Sequence, residues 1–262
     1  MREDRIDRPE SGWHLPGVES GRDRPIVRTR IDGFTCHLAY RLSEDERRQL
    51  IASLATPARA RAVPPSGGVL SGRAAIWRHE IPSIGSVVIK EYRRGGMLRF
   101  IRRRYYVRFR TARPEREFNN LMTARAAGLN VPDPVACFSR GALFYRGWLA
   151  TRFIPGRSLV DVVSTDTGAL PALMDDLMRQ VELLIKNRVA HVDLHPGNVL
   201  VDATGTLYLL DFDRAIVSTK SLKELRDQYD VRWKRAVEKH GLPGMLADRF
   251  SAGLYGLSHR DD

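Results

Sequence analysis

The chain has 262 residues, 43% of them hydrophobic, which is enough to bury one large core or two smaller lobes and too many for a disordered chain. Lysines and arginines number 43 against 31 acids, a formal net charge of +12, so the working surface is expected to meet something anionic: nucleic acid, nucleotide phosphates or an acidic membrane. Cys36 and Cys137 stand alone, without CxxC or histidine-rich surroundings, which argues against a disulfide framework and a zinc site and leaves a reducing cytosol as the simplest setting.

No apolar run approaches the roughly 18 residues needed to cross a bilayer, and MREDRIDRPE at the start lacks the apolar core of a signal peptide, so any membrane contact is expected to be peripheral. Residues 1–30, rich in Arg, Asp, Glu, Pro and Gly, read as a loose arm outside the core. Ser43 and Glu46 form a capping box ahead of ERRQLIASLA, which predicts a short helix that exits before Pro57 and Pro64-Pro65. GGVLSGRAAIWRHE, the turn Pro82-Ser83-Ile84-Gly85 and SVVIKEY predict a glycine-bearing hairpin and a further strand ending at a lysine. Residues 97–110 are basic and partly helical in pattern. Residues 114–127 open with Pro114 and stop at Gly128, the usual asymmetry of a helix. Two strands are expected within 130–156, and helices over 171–189 and 221–240.

The stretch HVDLHPGNVLVDATGTLYLLDFD, residues 191–213, carries most of the chemistry. Val199-Leu200-Val201, the turn Asp202-Ala203-Thr204-Gly205 and Leu207-Tyr208-Leu209-Leu210 predict a β-hairpin that brings Asn198 and Asp211 together. Phosphoryl transfer from a nucleotide needs metal ions to hold the phosphates, a positioned nucleophile and cations against the spreading charge. Asp193, in the H-x-D-x-x-x-x-N loop from His191 to Asn198, is the candidate base; Asn198 and Asp211 are hard oxygen ligands suited to magnesium. Lys90 ends Val87-Val88-Ile89-Lys90, close to the V-A-I-K strand whose lysine contacts nucleotide phosphates. Glu117 is the first choice for its helix partner and Glu115 the second. Gly67, Gly68 and Gly72 lie where a loop could fold over the phosphates, although G-G-x-x-x-G departs from G-x-G-x-x-G. Leu149 to Phe153 reads either as the hinge that offers backbone groups to adenine or as another core strand. His191 and His195 read as loop scaffold, and Asp213 as an aid to metal or substrate or as an ion-pair partner.

The order of these parts (glycine loop, strand lysine, helix glutamate, H-x-D loop, D-F-D) resembles the protein-kinase-like superfamily. Within it, Tyr92 to Gly96 (YRRGG), Glu117-Phe118, Gly128 to Ala136 (GLNVPDPVA) and Leu209 to Arg214 (LLDFDR) are similar to the bacterial 3-deoxy-D-manno-octulosonic acid (Kdo) kinases of the lipopolysaccharide kinase family, over about residues 65–240. The resemblance implies an α+β, two-lobed protein-kinase-like fold, with a small β-rich N-lobe over 31–150 and a helical C-lobe over 151–262. It implies ATP and Mg2+ as cofactors, and phosphorylation of position 4 of Kdo on Kdo-lipid A, at the cytoplasmic face of the inner membrane. No A-P-E follows D-F-D, as suits a kinase without a long peptide-docking segment.

From Arg93 to Arg113, nine arginines appear without an acid, interleaved with Met97, Leu98, Phe100, Ile101, Tyr105, Tyr106 and Phe109. Of these, Arg93, Arg94, Arg99, Arg102, Arg103 and Arg104 are the candidates for the anionic acceptor and the membrane surface, where each cation contributes on the order of 1 kcal/mol. Blander readings stand beside each residue: turn chemistry for Asp193, Asn198 and Asp211, solvation for Lys90, a helix-dipole partner for Glu117, simple turns for the glycines, RNA for the arginines. A heptose kinase of the lipopolysaccharide core and a nucleic-acid-binding or scaffolding pseudokinase remain as alternatives. A cationic aminoglycoside acceptor is disfavoured by the arginine run.

Overall fold

The computed structural model describes residues 5–7, 26–55, 61–62, 75–92, 106–107, 111–165, 168 and 170–256. The strands of the first lobe are β1 (Arg5–Asp7), β2 (Ile26–Ile31), β3 (Phe34–Leu38), β4 (Arg61–Ala62), β5 (Ala75–Ile81), β6 (Gly85–Glu91), β7 (Tyr106–Val107), β8 (Pro134–Arg140) and β9 (Phe144–Arg152). They form an antiparallel sheet in the order β1-β2-β3-β8-β9-β6-β5-β4, with β7 also paired to β9. The arm expected over residues 1–30 differs here: Ile26–Ile31 pairs with Arg5–Asp7 on one side and Phe34–Leu38 on the other, and Ile26 is buried. The reason lies in IVRTRI followed by Asp32-Gly33, both at positive φ (49° and 79°), which is the hairpin turn whose twist matches the flanking strands. The arginines hid an alternating strand.

Two helices cover opposite faces of this sheet. Helix α1 (Glu44–Ala55) packs Leu50, Ile51 and Leu54 against Trp77, Val87, Ile89, Phe138 and Trp148. Its capping box forms as predicted: Glu46 N–H donates to Ser43 Oγ at 3.2 Å and Ser43 N–H to a Glu46 carboxylate oxygen at 2.8 Å. The other Glu46 oxygen accepts from Ser83 N–H at 2.8 Å, which ties the helix start to the β5–β6 turn. Helix α2 (Arg113–Ala126) lies against the opposite face, with Pro114 in its first turn and Gly128 beyond its end at φ 84°, as expected.

Both edges of Leu149–Arg152 are paired, to β6 and β8, so this segment is a central strand and the chain crosses to the second lobe through Phe153–Pro155. There follow β10 (Gly156–Ser158), α3 (Leu159–Thr165), α4 (Leu170–Lys186), β11 (Val189–Ala190), β12 (Val199–Asp202), β13 (Leu207–Leu209), β14 (Ile216–Val217), α5 (Leu222–Lys239) and α6 (Met245–Gly256). The predicted hairpin is β12–β13, with Val199 opposite Leu209, and Asp202 Oδ1 accepting from the Thr204 and Thr206 amides to close its turn. Helix α6 was not legible in advance. It is held by Trp233 of α5, stacked on Phe250 at 4.5 Å, and by close contact at Gly253, where a Cβ would come within 2.6 Å of Met178.

Hydrogen bonds from Ser83 and then Ser43 pull the Glu46 carboxyl from 4.5 down to about 2. A depressed folded-state pKa confers stability that is present above the unfolded value and is lost as pH falls. The difference in urea midpoint between wild type and Glu46→Gln is therefore expected to be full above pH 4.5 and to shrink steadily toward pH 2.

Candidate active site

Strand alternation decides where Lys90 points. Val87 and Ile89 of β6 enter the core under α1, so Lys90 faces the other side of the sheet, toward α2. There Lys90 Nζ donates to both carboxylate oxygens of Glu117, at 3.2 and 3.1 Å, and to Asp211 Oδ1 at 3.0 Å. Burial alone would lower the Lys90 pKa; the Glu117 and Asp211 carboxylates outweigh it and hold the ammonium above its ordinary value. Burial works against the Asp211 charge too, and Lys90 reverses that, leaving Asp211 below the usual carboxylate range. Glu115 pairs elsewhere, with Arg28 and His37, each at 3.7 Å. Of the two glutamates, the first choice is the one that meets the lysine.

The loop after β11 is built around His191. Its backbone N–H donates to Tyr229 Oη at 2.8 Å, and Tyr229 in turn donates to Val189 O at 2.7 Å. The His191 ring packs edge-on against Phe212, and burial depresses its pKa, so the neutral ring donates through Nε2 to Leu210 O at 2.9 Å. His195 Nδ1 accepts from Gly197 N–H at 3.1 Å and caps the short turn Pro196–Asn198. Both histidines are scaffold, and the loop they hold presents Asp193 with a half-exposed carboxylate.

The Asn198 amide donates from Nδ2 to Asp193 O at 2.8 Å, which fixes its orientation and leaves Oδ1 as the outward acceptor. Leu210 N–H donates to Asn198 O at 2.9 Å across the hairpin, so Asn198 and Asp211 flank the same hairpin mouth. Asp211 adopts a left-handed backbone conformation, φ 63°, which turns its carboxylate toward Lys90 while the chain continues into the turn Phe212–Arg214. Asn198 Oδ1 and the second Asp211 oxygen are hard oxygens. That suits Mg2+, which takes one or two protein ligands beside substrate phosphates. Among the described residues no group of three or more His, Cys, Asp or Glu side chains is placed to hold a metal. Gly67, Gly68 and Gly72, and Arg93, Arg94, Arg99, Arg102, Arg103 and Arg104, lie outside the described residues, as does most of the basic stretch 97–110.

The sequence model of the lipopolysaccharide kinase (Kdo/WaaP) family matches residues 69–237. The chain belongs to the lipopolysaccharide kinase family. As a member of that family it is a phosphotransferase of lipopolysaccharide biosynthesis that acts on a sugar hydroxyl. A 3-deoxy-D-manno-octulosonic acid kinase of Vibrio vulnificus (strain YJ016) is 33% identical over 188 residues, covering 66% of this chain and 77% of that one. The protein of the same description from Xanthomonas campestris pv. campestris (strain B100) is 32% identical over 185 residues, covering 68% and 72%. One from Xylella fastidiosa (strain M12) is 29% identical over 189 residues, covering 68% and 74%.

In this lipopolysaccharide kinase, several residues around the site escaped the sequence reading. Tyr92 donates its hydroxyl to Glu117, and its ring lies 5.1 Å from Lys90 Nζ; two positions beyond Lys90 on an alternating strand, it shares the lysine's face. Arg113, counted with the surface arginines, instead donates from Nε to Asp213 Oδ2 at 2.7 Å. Arg116 donates to Asp213 O at 3.0 Å, and Asn120 donates to Phe212 O at 2.8 Å and Ala215 O at 3.0 Å. Asp213 is therefore an ion-pair partner. Spacing of 113, 116–117 and 120 on one helix face was the available signal, but it names no partner. Asn120→Ala strips the partner from two carbonyls in a buried contact and is expected to cost about 1–3 kcal/mol in urea unfolding.

Proposed function

We propose that this lipopolysaccharide kinase transfers the γ-phosphate of ATP to the position-4 hydroxyl of a Kdo sugar on Kdo-lipid A. The observation that carries the reading is the Lys90 ammonium held between Glu117 and Asp211, a phosphate-binding cation beside a metal-binding carboxylate at the junction of the lobes. Three relatives whose descriptions name Kdo supply the acceptor.

In the proposed mechanism, Lys90 holds the nucleotide phosphates, and Glu117, itself oriented by Tyr92, positions Lys90. Asp193 orients the acceptor hydroxyl and receives its proton as the in-line transfer proceeds; Asn198 Oδ1 and Asp211 hold Mg2+. Mg2+ held there would supply positive charge against the nucleotide phosphates. Gly67, Gly68 and Gly72 are assigned to ATP binding from their place in the order of motifs alone. Adenine pairs with the crossing segment at Ile154, since the backbone of Leu149–Arg152 is taken up by its neighbours, Phe153 N–H donates to Ser86 O at 2.9 Å and Pro155 has no N–H.

The enzyme is proposed to work on the cytoplasmic face of the inner membrane. No helix of the described residues is long and apolar enough to cross a membrane. Two features favour a peripheral contact. The basic run containing Arg93, Arg94, Arg99, Arg102, Arg103 and Arg104 is followed by β7, which pairs with Tyr145 and Phe144. Beside that pairing, Leu143 and Phe144 expose 59% and 46% of their surface at the β8–β9 turn. Cations next to apolar side chains suit an anionic lipid surface, and a preference for RNA over lipopolysaccharide vesicles in a salt-titrated competition would count against it.

Mass spectrometry of Kdo-lipid A after incubation with ATP and magnesium is expected to show one added phosphate on Kdo. Transfer only to a heptose-bearing acceptor would overturn the assignment. Asp193→Ala is expected to lower kcat by about 10²–10⁴, and unchanged turnover would remove Asp193 from its role.

A further inference from the structure

An open groove of about 940 Å³ borders Asp193, walled by the loop that carries it and one face of α5. Lys220, just ahead of α5, also lines it and donates to Gln228 Oε1 at 2.9 Å. At the N-terminal end of α5 the two acids are committed: Glu224 caps Ser221, and Asp227 accepts from Tyr255 Oη at 2.7 Å. Toward the C-terminal end, where the helix dipole favours cations, come Arg232, Arg235 and Lys239, at helical spacing on one face. Arg232 NH1 lies 4.0 Å from Asp193 Oδ1, and its buried Nε has no hydrogen-bond partner among the described residues. Arg235 and Lys239 are exposed and form no ion pair among the described residues. His195 and His240 stack at 6.2 Å against the same end of the groove.

Three cations of α5 thus line the groove that Asp193 borders, and among the described residues Arg235 and Lys239 have no ion-pair partner. A buried guanidinium nitrogen without an acceptor calls for one. A planar carboxylate satisfies an arginine fork in a way that a neutral hydroxyl cannot. We propose that Arg232, Arg235 and Lys239 form the acceptor subsite and bind the carboxylate of an acidic sugar, placing that sugar's hydroxyl at Asp193. The inference rests on the proposed function, because it takes Asp193 as the group that meets the acceptor. It also moves sugar recognition from the arginine run of 93–104 to α5, leaving that run to the membrane surface.

Steady-state kinetics with the full-length protein, ATP and Kdo-lipid A tests the subsite. Arg235→Glu and Lys239→Glu are each expected to raise the acceptor KM by about tenfold or more, with the ATP KM held within about twofold. Arg179→Glu, an exposed change on α4, serves as the charge-reversal control. An acceptor whose Kdo carboxyl is reduced to an alcohol is expected to lose affinity with the wild type, whereas one stripped of its lipid A phosphates is expected to retain it. The reverse pattern would make phosphate the ligand and overturn the assignment, and acceptor KM values equal to wild type in both variants would overturn the subsite itself. Equilibrium binding of the acceptor, which needs no turnover, separates the two proposals. Weakened binding in Arg235→Glu upholds the subsite even if wild type transfers no phosphate to Kdo, a result that would sink only the proposed function.

Discussion

The Lys90 ammonium, shared between Glu117 and Asp211, is the contact on which the site depends, because its three members come from three separate elements. Lys90 ends a strand of the first lobe, Glu117 sits on the helix behind that sheet, and Asp211 follows the hairpin of the second lobe. Desolvating three charges is costly, and two carboxylates around one ammonium leave an uncompensated negative charge. Removing one member of the buried Lys90–Glu117 pair costs about 3–5 kcal/mol, whereas Asp211, with 38% of its side chain exposed, contributes less because water screens it. The surplus negative charge would be matched by a divalent cation held at Asp211, as the proposed function requires. Tyr92 contributes from the protonated side, since burial and then the Glu117 carboxylate push its phenol up and keep it a donor.

Helix α2 has a second duty at the same place. Glu117 reaches the sheet lysine, while Arg113, Arg116 and Asn120 hold Phe212, Asp213 and Ala215 from the other lobe. The two aspartates of D-F-D therefore face different partners: Asp211, in a left-handed conformation, turns to the lysine, and Asp213 turns back to the helix. Phe212 between them is fully buried and meets the ring of His191. Through that ring, and through Tyr229, the position of the catalytic loop is coupled to the same turn. One helix thus sets the lysine and, through the D-F-D turn, the loop that carries Asp193.

Positive charge in this chain does several distinct jobs, which its total hides. Arg113 and Arg116 are internal struts against Asp213. Arg146 is paired with the buried Glu91 at 2.6 Å. Arg232, Arg235 and Lys239 border the groove at Asp193, and of these only Arg232 has an ion-pair partner among the described residues, Asp193 at 4.0 Å. Only partnership distinguishes these groups, and partnership is a tertiary property.

The sequence by itself determined the local elements and the chemistry of the motifs. The Ser43–Glu46 box, Pro114 and Gly128 at the two ends of α2, the turn at Asp202–Gly205 and the hairpin that sets Leu210 against Asn198 were all legible, because each depends on residues close to one another in the chain. It also pointed to Lys90 and Glu117 through their order along the chain. Only the tertiary structure decided that Glu117 and not Glu115 meets Lys90, that Arg113 is a strut, that Ile26–Ile31 is a strand of the sheet, that Leu149–Arg152 is flanked on both sides, and that α5 lays its cations beside Asp193. Local rules place a side chain on a face. Which charge or carbonyl waits opposite that face depends on elements 25 to 120 positions away, and no spacing along the chain encodes it.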